Sequence, residues 1–490
     1  MQVSYSPIRF FIFNPIQYFN METSTPVKTN SSVIPLITMT LLFFMWGFIT
    51  CMNDILIPHL KVLFNLTFLQ SMLVQFAFFG AYFIGSLIYF LVSYYQGDPI
   101  NKIGYKKGII AGVLLSAVGC CLFYPAASLS VYGVFLAALF VLGLGFTILQ
   151  ITANAYVTLL GPEESASSRL NLTQAFNSFG TTIAPVLGGH LIFTLFLVDG
   201  KVTADSTRIP YLIFAGILVV LALVISRVKL PSFSSEESGE RGLGALKFPQ
   251  LKMGIFGIFC YVGAEVGIGS LLIGFMAQQD IMNLPEEISK NYLALYWGGA
   301  MIGRFLGAIS LSGLAQAKKL IYMVLTAAAV YLLVFSIVDL TFSQTSFFII
   351  FIILNIIAFV IGKSAPARTL VLFAGVNIAL LLVSIFSKGS MALYPILGIG
   401  LFNSIMFSNI YTLAISGLGK YVSQGSSLLV MAILGGALVP LIQGGLADSQ
   451  GIQHSFLLPA ACYLYILIFG IYCMKRVKLS DNDKAVRTNH

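Results

Sequence analysis

Unbroken apolar runs, separated by short polar turns, dominate this chain. They fall near 34–59, 70–95, 108–127, 131–160, 171–197, 209–228, 251–278, 291–313, 319–340, 346–362, 368–387, 391–416, 424–446 and 454–474, fourteen in all. An apolar helix needs about 20 residues to cross the hydrocarbon core of a bilayer, so the pattern predicts a helical bundle of about fourteen spans. Lys and Arg gather in alternate turns. With the N-terminus placed in the cytoplasm, the inside connections hold Lys102, Lys106, Lys107, Arg169, Arg227, Lys229, Arg241, Lys247, Lys318, Lys319, Lys363, Arg368 and Lys420. The tail after 474 adds five more basic residues, while the outside connections hold little beyond Lys61, Lys201, Arg208, Lys290 and Lys388. That asymmetry sets orientation and predicts both termini on the cytoplasmic side of the cell inner membrane.

Composition agrees: 58% of the 490 residues are hydrophobic and 9% charged, against about 25% charged in soluble domains. The net charge of +9 resides in the turns and is no sign of nucleic acid. The six cysteines sit in or beside apolar runs without a CxxC pair and read as buried small hydrophobes. The four histidines are scattered, so neither metal nor cofactor is expected. Residues 1–33 form a cytoplasmic tail, with Met21, which opens a polar leader, as the expected start.

The polar stretch from Pro231 to Pro249 divides the chain into halves that resemble each other. Gly80, Ile84 and Gly85 match Gly298, Ile302 and Gly303 at an offset of 218 residues; Gly180, Pro185 and Gly189 match Gly435, Pro440 and Gly444 at an offset of 255. The second half has therefore gained about 37 residues, enough for a helical hairpin. The expected organisation is a six-helix bundle at 34–228, a linker at 229–250, and a second bundle at 251–474 with an inserted helical pair near 319–362, then a tail at 475–490. Parallel six-span repeats suit the major facilitator fold, with a site at mid-membrane between the halves. The loop from Gly97 to Lys107 resembles that superfamily's signature, with Asn101 at the usual acid and Lys102 at the usual Arg. Its glycines permit a tight turn. Lys102 and Lys106 are expected to pin helix ends and gate.

Ionisable groups within spans are functional candidates. Asp54 in the first span and Glu265 in the seventh are the proton-coupling candidates, since a carboxylate in a closable cavity can bind and release a proton. The alternatives are a solvated Asp54 at the outer end of its span and a structural hydrogen bond for Glu265. Arg304 is expected to pair with an acid or carbonyls as a gate. Gln150 and Asn154 lie one turn apart on the fourth span, and Asn171, Gln174, Asn177 and Thr181 form a stripe on the fifth. Asn403, Ser404 and Ser408 lie later. Converging amides and hydroxyls suit a sugar or other polyol, against the plainer reading of interhelical glue. Trp46 is either a stacking face for sugar or an interfacial anchor.

Phe44-Met45-Trp46-Gly47-Phe48 with Asn53-Asp54-Ile55-Leu56, Arg169 through Asn177, Tyr261 through Glu265, Tyr296 through Phe305, and Phe402 through Phe407 together resemble the fucose–galactose–glucose/proton symporter family of the major facilitator superfamily, in its glucose/galactose branch. The resemblance spans about 34–474 except the inserted pair. It implies import of a hexose with a proton by alternating access, in a monomer embedded in lipid. It implies sugar contacts at Gln174 and Asn177 and adds Asn53 to the substrate-binding candidates. The family's fucose symporter uses an aspartate at the position of Asp54 and a glutamate at that of Gln150; here Gln150 cannot titrate. Alternatives are a fucose or other sugar symporter, sodium coupling, and a proton-coupled drug antiporter, whose fifth-span fingerprint Gly180 to Gly189 nearly meets. An enzyme would need a nucleophile–base pair or metal ligands, and no HExxH or GxSxG occurs.

Overall fold

The computed structural model of the chain describes residues 33–66, 73–190, 203–231 and 244–488, and among these there is helix and no strand. The long helices are α1 (Val33–Leu63), α2 (Leu73–Gln96), α3 (Tyr105–Cys121), α4 (Tyr132–Leu159), α5 (Ala166–His190) and α6 (Arg208–Arg227) in the first half. The second half contains α7 (Pro249–Met276), α8 (Glu286–Ser310), α9 (Gln316–Ile337), α10 (Phe347–Gly362) and α11 (Pro366–Phe386). It closes with α12 (Ser390–Asn403), α13 (Met406–Ile415), α14 (Val422–Met431), α15 (Gly435–Gln450) and α16 (Leu457–Thr488).

Twelve helical segments among the described residues are long and apolar enough to cross a membrane, with α12–α13 and α14–α15 each counting as one broken span. The chain is thus a multi-pass membrane protein, but the expected fourteen apolar spans reduce to twelve. The difference is α5 and α8. Each has 25 residues, but α5 carries Ser167, Ser168, Arg169, Asn171, Gln174 and Asn177, and α8 carries two acids, Lys290, Asn291 and Arg304. These are the polar helices of the bundle, and they pack against each other where the halves meet. Cys121 is exposed, contrary to the expectation of burial for all six cysteines.

Packing repeats between the halves. In the first, α1 lies against α5, α2 against α4, and α3 against α4 and α6; in the second, α7 lies against α15, α8 against α12, and α11 against α12 and α16. Two of the glycine pairs matched by sequence occupy matching contacts. A Cβ at Gly180 would sit 2.2 Å from the Phe44 carbonyl oxygen of α1, and one at Gly435 would sit 2.1 Å from the Phe259 carbonyl oxygen of α7. Gly85 faces Thr147 of α4, as Gly303 faces Ser404 beside α12. Their partners differ instructively: Gly80 faces open space, whereas Gly298 receives Val334 of α9.

The breaks in the last spans free backbone carbonyls. At the break after Asn403, the Leu401 carbonyl accepts from Ser404 Oγ at 2.6 Å and from Asn355 Nδ2 of α10 at 3.2 Å. The Ser404 carbonyl accepts from Arg304 Nε at 3.4 Å.

Candidate functional site

Two polar groups face each other from the two halves. On the first, Asn154 is wholly buried on α4. Its amide donates to Gln150 Oε1 at 2.6 Å, and its oxygen meets Gln174 Nε2 of α5 at 3.5 Å. Gln150 and Gln174 remain half-exposed inside the bundle. Gln150 also lies beside the Tyr82 hydroxyl, which accepts from Trp46 Nε1 at 3.2 Å. Trp46 is 5% exposed and packs on Phe43 and Phe146. It is therefore a core residue of the bundle with a polar edge, and not an interfacial anchor. Asn177, the next member of the stripe, donates to the Phe43 carbonyl at 3.0 Å. That contact exists because Gly47 lets α1 and α5 touch: a Cβ there would lie 2.1 Å from the Asn177 carbonyl oxygen.

On the second half, Glu265 of α7 meets Arg304 of α8 with 3.7 Å between Oε1 and NH2, beside the buried Tyr261. Arg304 also donates to Ser178 Oγ on α5, so this cation ties the acid of one half to a helix of the other. Asn403, expected to touch a solute, is wholly buried. Its oxygen accepts from Tyr463 OH at 2.6 Å and Asn377 Nδ2 at 2.9 Å, and its amide donates to Tyr296 OH at 3.1 Å. It organises the second bundle in this conformation and is not open to a ligand. Asn53 and Asp54 lie on α1, but their side chains are outside the described residues.

Hydrogen bonds between the halves gather toward the end that carries the basic turns. Asn101 Nδ2 donates to the Lys420 carbonyl at 2.8 Å, and Tyr105 OH meets Ser423 Oγ at 3.0 Å. Ser167 meets Thr412 at 2.6 Å, Ser426 Oγ donates to the Ile151 carbonyl at 3.0 Å, and Ser416 donates to Glu163. Higher up, Thr182 Oγ1 meets Met301 Sδ at 3.6 Å. The signature loop takes part differently from expectation. Gly97 and Gly104 adopt φ of +82° and +83°, the tight turns anticipated. Lys102 bonds the Gln96 carbonyl, while Lys106 bonds the carbonyls of Ser226 and Val228. Both cations cap helix ends within their own half, and the crossing bond belongs to Asn101.

Asp98 is the residue that sequence reasoning passed over. It caps the short helix Pro99–Ile103, accepting from Ile100 N at 2.9 Å and Tyr89 OH at 2.6 Å. Burial pushes its carboxyl above the usual carboxylate range. The Tyr89 hydroxyl and the backbone N–H groups of Ile100, Asn101 and Gln424 pull it back. Gln424 lies in the first turn of α14, so an acid of one half faces the positive end of a helix dipole in the other. Arg169 is structural: it is 9% exposed and donates to the carbonyls of Val157, Thr158, Gly161 and Pro162, closing the end of α4.

Residues 36–371 match the family model described as Major Facilitator Superfamily. The chain is 43% identical over 462 residues to the glucose/galactose transporter of Brucella abortus, covering 92% of this chain and 98% of that protein. It is 31% identical over 468 residues to the L-fucose-proton symporter of Escherichia coli, covering 90% and 94%. The crystal structure of the Escherichia coli fucose:proton symporter superposes with a TM-score of 0.72 at 30% identity, over 90% of this chain and 99% of that one.

Proposed function

We propose that this chain, which belongs to the Major Facilitator Superfamily, imports a glucose- or galactose-like hexose together with a proton by alternating access. The observation that carries the reading is the pair of half-exposed amides, Gln150 and Gln174, joined through buried Asn154 and set beside Trp46 and Tyr82. Several neutral donors and acceptors on one wall suit the hydroxyls of a sugar, and the buried aromatic pair holds that wall in place. The sugars that the relatives are named for support the same class. Gln150, Gln174, Asn177 and Asn53 are the proposed sugar wall, with buried Asn154 and Trp46 backing it and Asn403 holding the second bundle in shape. Asp54 is the proposed proton carrier because Gln150 cannot titrate, and Glu265, tied to Arg304, is the competing one.

The chain lies in the inner membrane with both termini cytoplasmic, so the basic end is the cytoplasmic one and the structure is closed there. The gate consists of Asn101, Asp98 and Tyr105 against α14 and its preceding turn, with Arg304 and Ser178 above. Lys102 and Lys106 serve it indirectly by fixing helix ends. The division into 34–228 and 251–474 with an inserted pair is supported by the repeated packing, which leaves α9 and α10 without counterparts in the first half.

The antiporter fingerprint has a packing explanation. Gly180 is needed where α5 touches the Phe44 carbonyl, whatever the solute. Proteoliposomes decide between the remaining readings. Labelled glucose or galactose should accumulate under an inward proton gradient and not under a sodium gradient. Accumulation driven by sodium alone, or of fucose alone, would replace the coupling ion or the sugar.

A further inference from the structure

The turns that join α8 to α9 and α10 to α11 meet at the basic end. Lys319 Nζ donates to Ser364 Oγ at 2.5 Å, and Ser364 Oγ donates to the Ser310 carbonyl at 2.7 Å. Lys318, Lys363 and Arg368 lie within four residues of that contact along the chain. Lys319 is 4% exposed, yet its ammonium meets a hydroxyl and no carboxylate. Among the described residues none of the four enters an ion pair. The sequence holds no acid between Glu287 and Asp339, and none between Asp339 and Asp448. Both α9 and α11 also begin at this point, after Ala315 and Ala365, and neither start has a side-chain cap. The first amides of a helix have no acceptor within it, and its dipole is positive at that end. Four cations and two uncapped helix starts therefore lie near one place with no ion-pair partner among the described residues.

What lies next to it is apolar. On α9, Ile321, Val324 and Leu325 are 57%, 49% and 62% exposed, and on α10 Ile357 and Ile361 are 47% and 54% exposed. We infer that this patch is a binding site for the phosphodiester headgroup of an anionic phospholipid, whose acyl chains lie along α9 and α10. A free phosphate would use the cations and leave the hydrocarbon surface unused; a lipid uses both. Lys319 and the uncapped amides form the floor of the site, and Lys318, Lys363 and Arg368 form its rim. The lipid supplies the missing negative charge and fastens the two helices to the membrane surface.

Native mass spectrometry of the full chain, delipidated in detergent and titrated with phosphatidylglycerol or phosphatidylcholine, tests this. The wild type should retain phosphatidylglycerol selectively. The triple variant Lys318→Gln, Lys363→Gln, Arg368→Gln leaves buried Lys319 in place and should bind roughly a hundredfold more weakly, at about 1 kcal/mol for each cation lost. A second triple variant, Lys252→Gln, Lys475→Gln, Arg476→Gln, removes the same charge elsewhere and should bind as the wild type does. Equal losses in the two variants would mean general attraction to a basic protein and overturn the site. So would equal retention of phosphatidylcholine, or displacement of phosphatidylglycerol by millimolar inorganic phosphate.

Discussion

Asn177 and Gln174 share a stripe, yet their surroundings separate them. Asn177 spends its amide on the Phe43 carbonyl at 3.0 Å, while Gln174 reaches Asn154 only at 3.5 Å. Gln174→Ala should therefore weaken sugar binding with little loss of folded protein. A hydroxyl left without its partner costs about 1–3 kcal/mol, or roughly 5- to 150-fold in affinity. Asn177→Ala should lower thermal stability as well, because the contact between α1 and α5 loses its hydrogen bond. Calorimetric sugar binding together with melting temperature separates the two, and normal binding by both variants would make the stripe interhelical glue. For coupling, Asp54→Asn keeps the shape but fixes the neutral state. It should abolish proton-driven accumulation while sugar-for-sugar exchange survives. Accumulation that survives Asp54→Asn but fails in Glu265→Gln moves the role to Glu265. Gln150, Asn154, Gln174 and Glu265 could be picked out of the sequence as candidates because polar groups stand out in apolar runs. Tyr82, Tyr296 and Tyr463 could not: a tyrosine in such a run looks like apolar filling, and only geometry shows its hydroxyl at the centre of a network.

At the level of elements, Gly85, Gly180, Gly303 and Gly435 were legible in advance because close helix crossings tolerate nothing larger, whereas Gly80 and Gly444 face open space. Gly47→Ala or Gly180→Ala puts a methyl within about 2 Å of backbone oxygen and should cost at least about 1–3 kcal/mol, seen as a lowered melting temperature in both variants. The signature loop was legible in place but not in detail. Spacing drew attention to Asn101 and the lysines, whereas Asp98 gains its importance from burial against the other half, which no spacing encodes. Its carboxyl is held above the ordinary value, about 3.9, when the halves are closed. In the open form, hydrated, it returns toward that value. The closed form therefore binds the proton more tightly. Closure is favoured as pH falls from the raised value toward the ordinary one, and that advantage is lost as pH rises through the raised value. Spin-label distances across the basic end should show this trend in the wild type and no trend in Asp98→Asn.

For the whole molecule, removal of 319–362 takes out an even number of spans and should leave the C-terminus on its original side. A reporter fused there checks this, and an external reporter would refute the topology. The second bundle loses Val334 at Gly298 and the Asn355 bond to Leu401, while α8, α11, α12 and α16 keep their mutual packing.

The closure at the basic end has a further consequence. Asn101, Tyr105, Ser167, Thr412, Ser423 and Ser426 are uncharged, so separating the halves exchanges each of these bonds for bonds to solvent. Opening is in that sense a hydration reaction, with water as a reagent. Salt should leave the bonds of these six residues little changed, because screening acts on charges, and should act instead through the charged crossings, Ser416 to Glu163 and Arg304 to Ser178. Solutes excluded from the pore and the protein surface should favour the closed form. The conformational cycle should then respond to the water activity at the basic end, slowing as that side dehydrates.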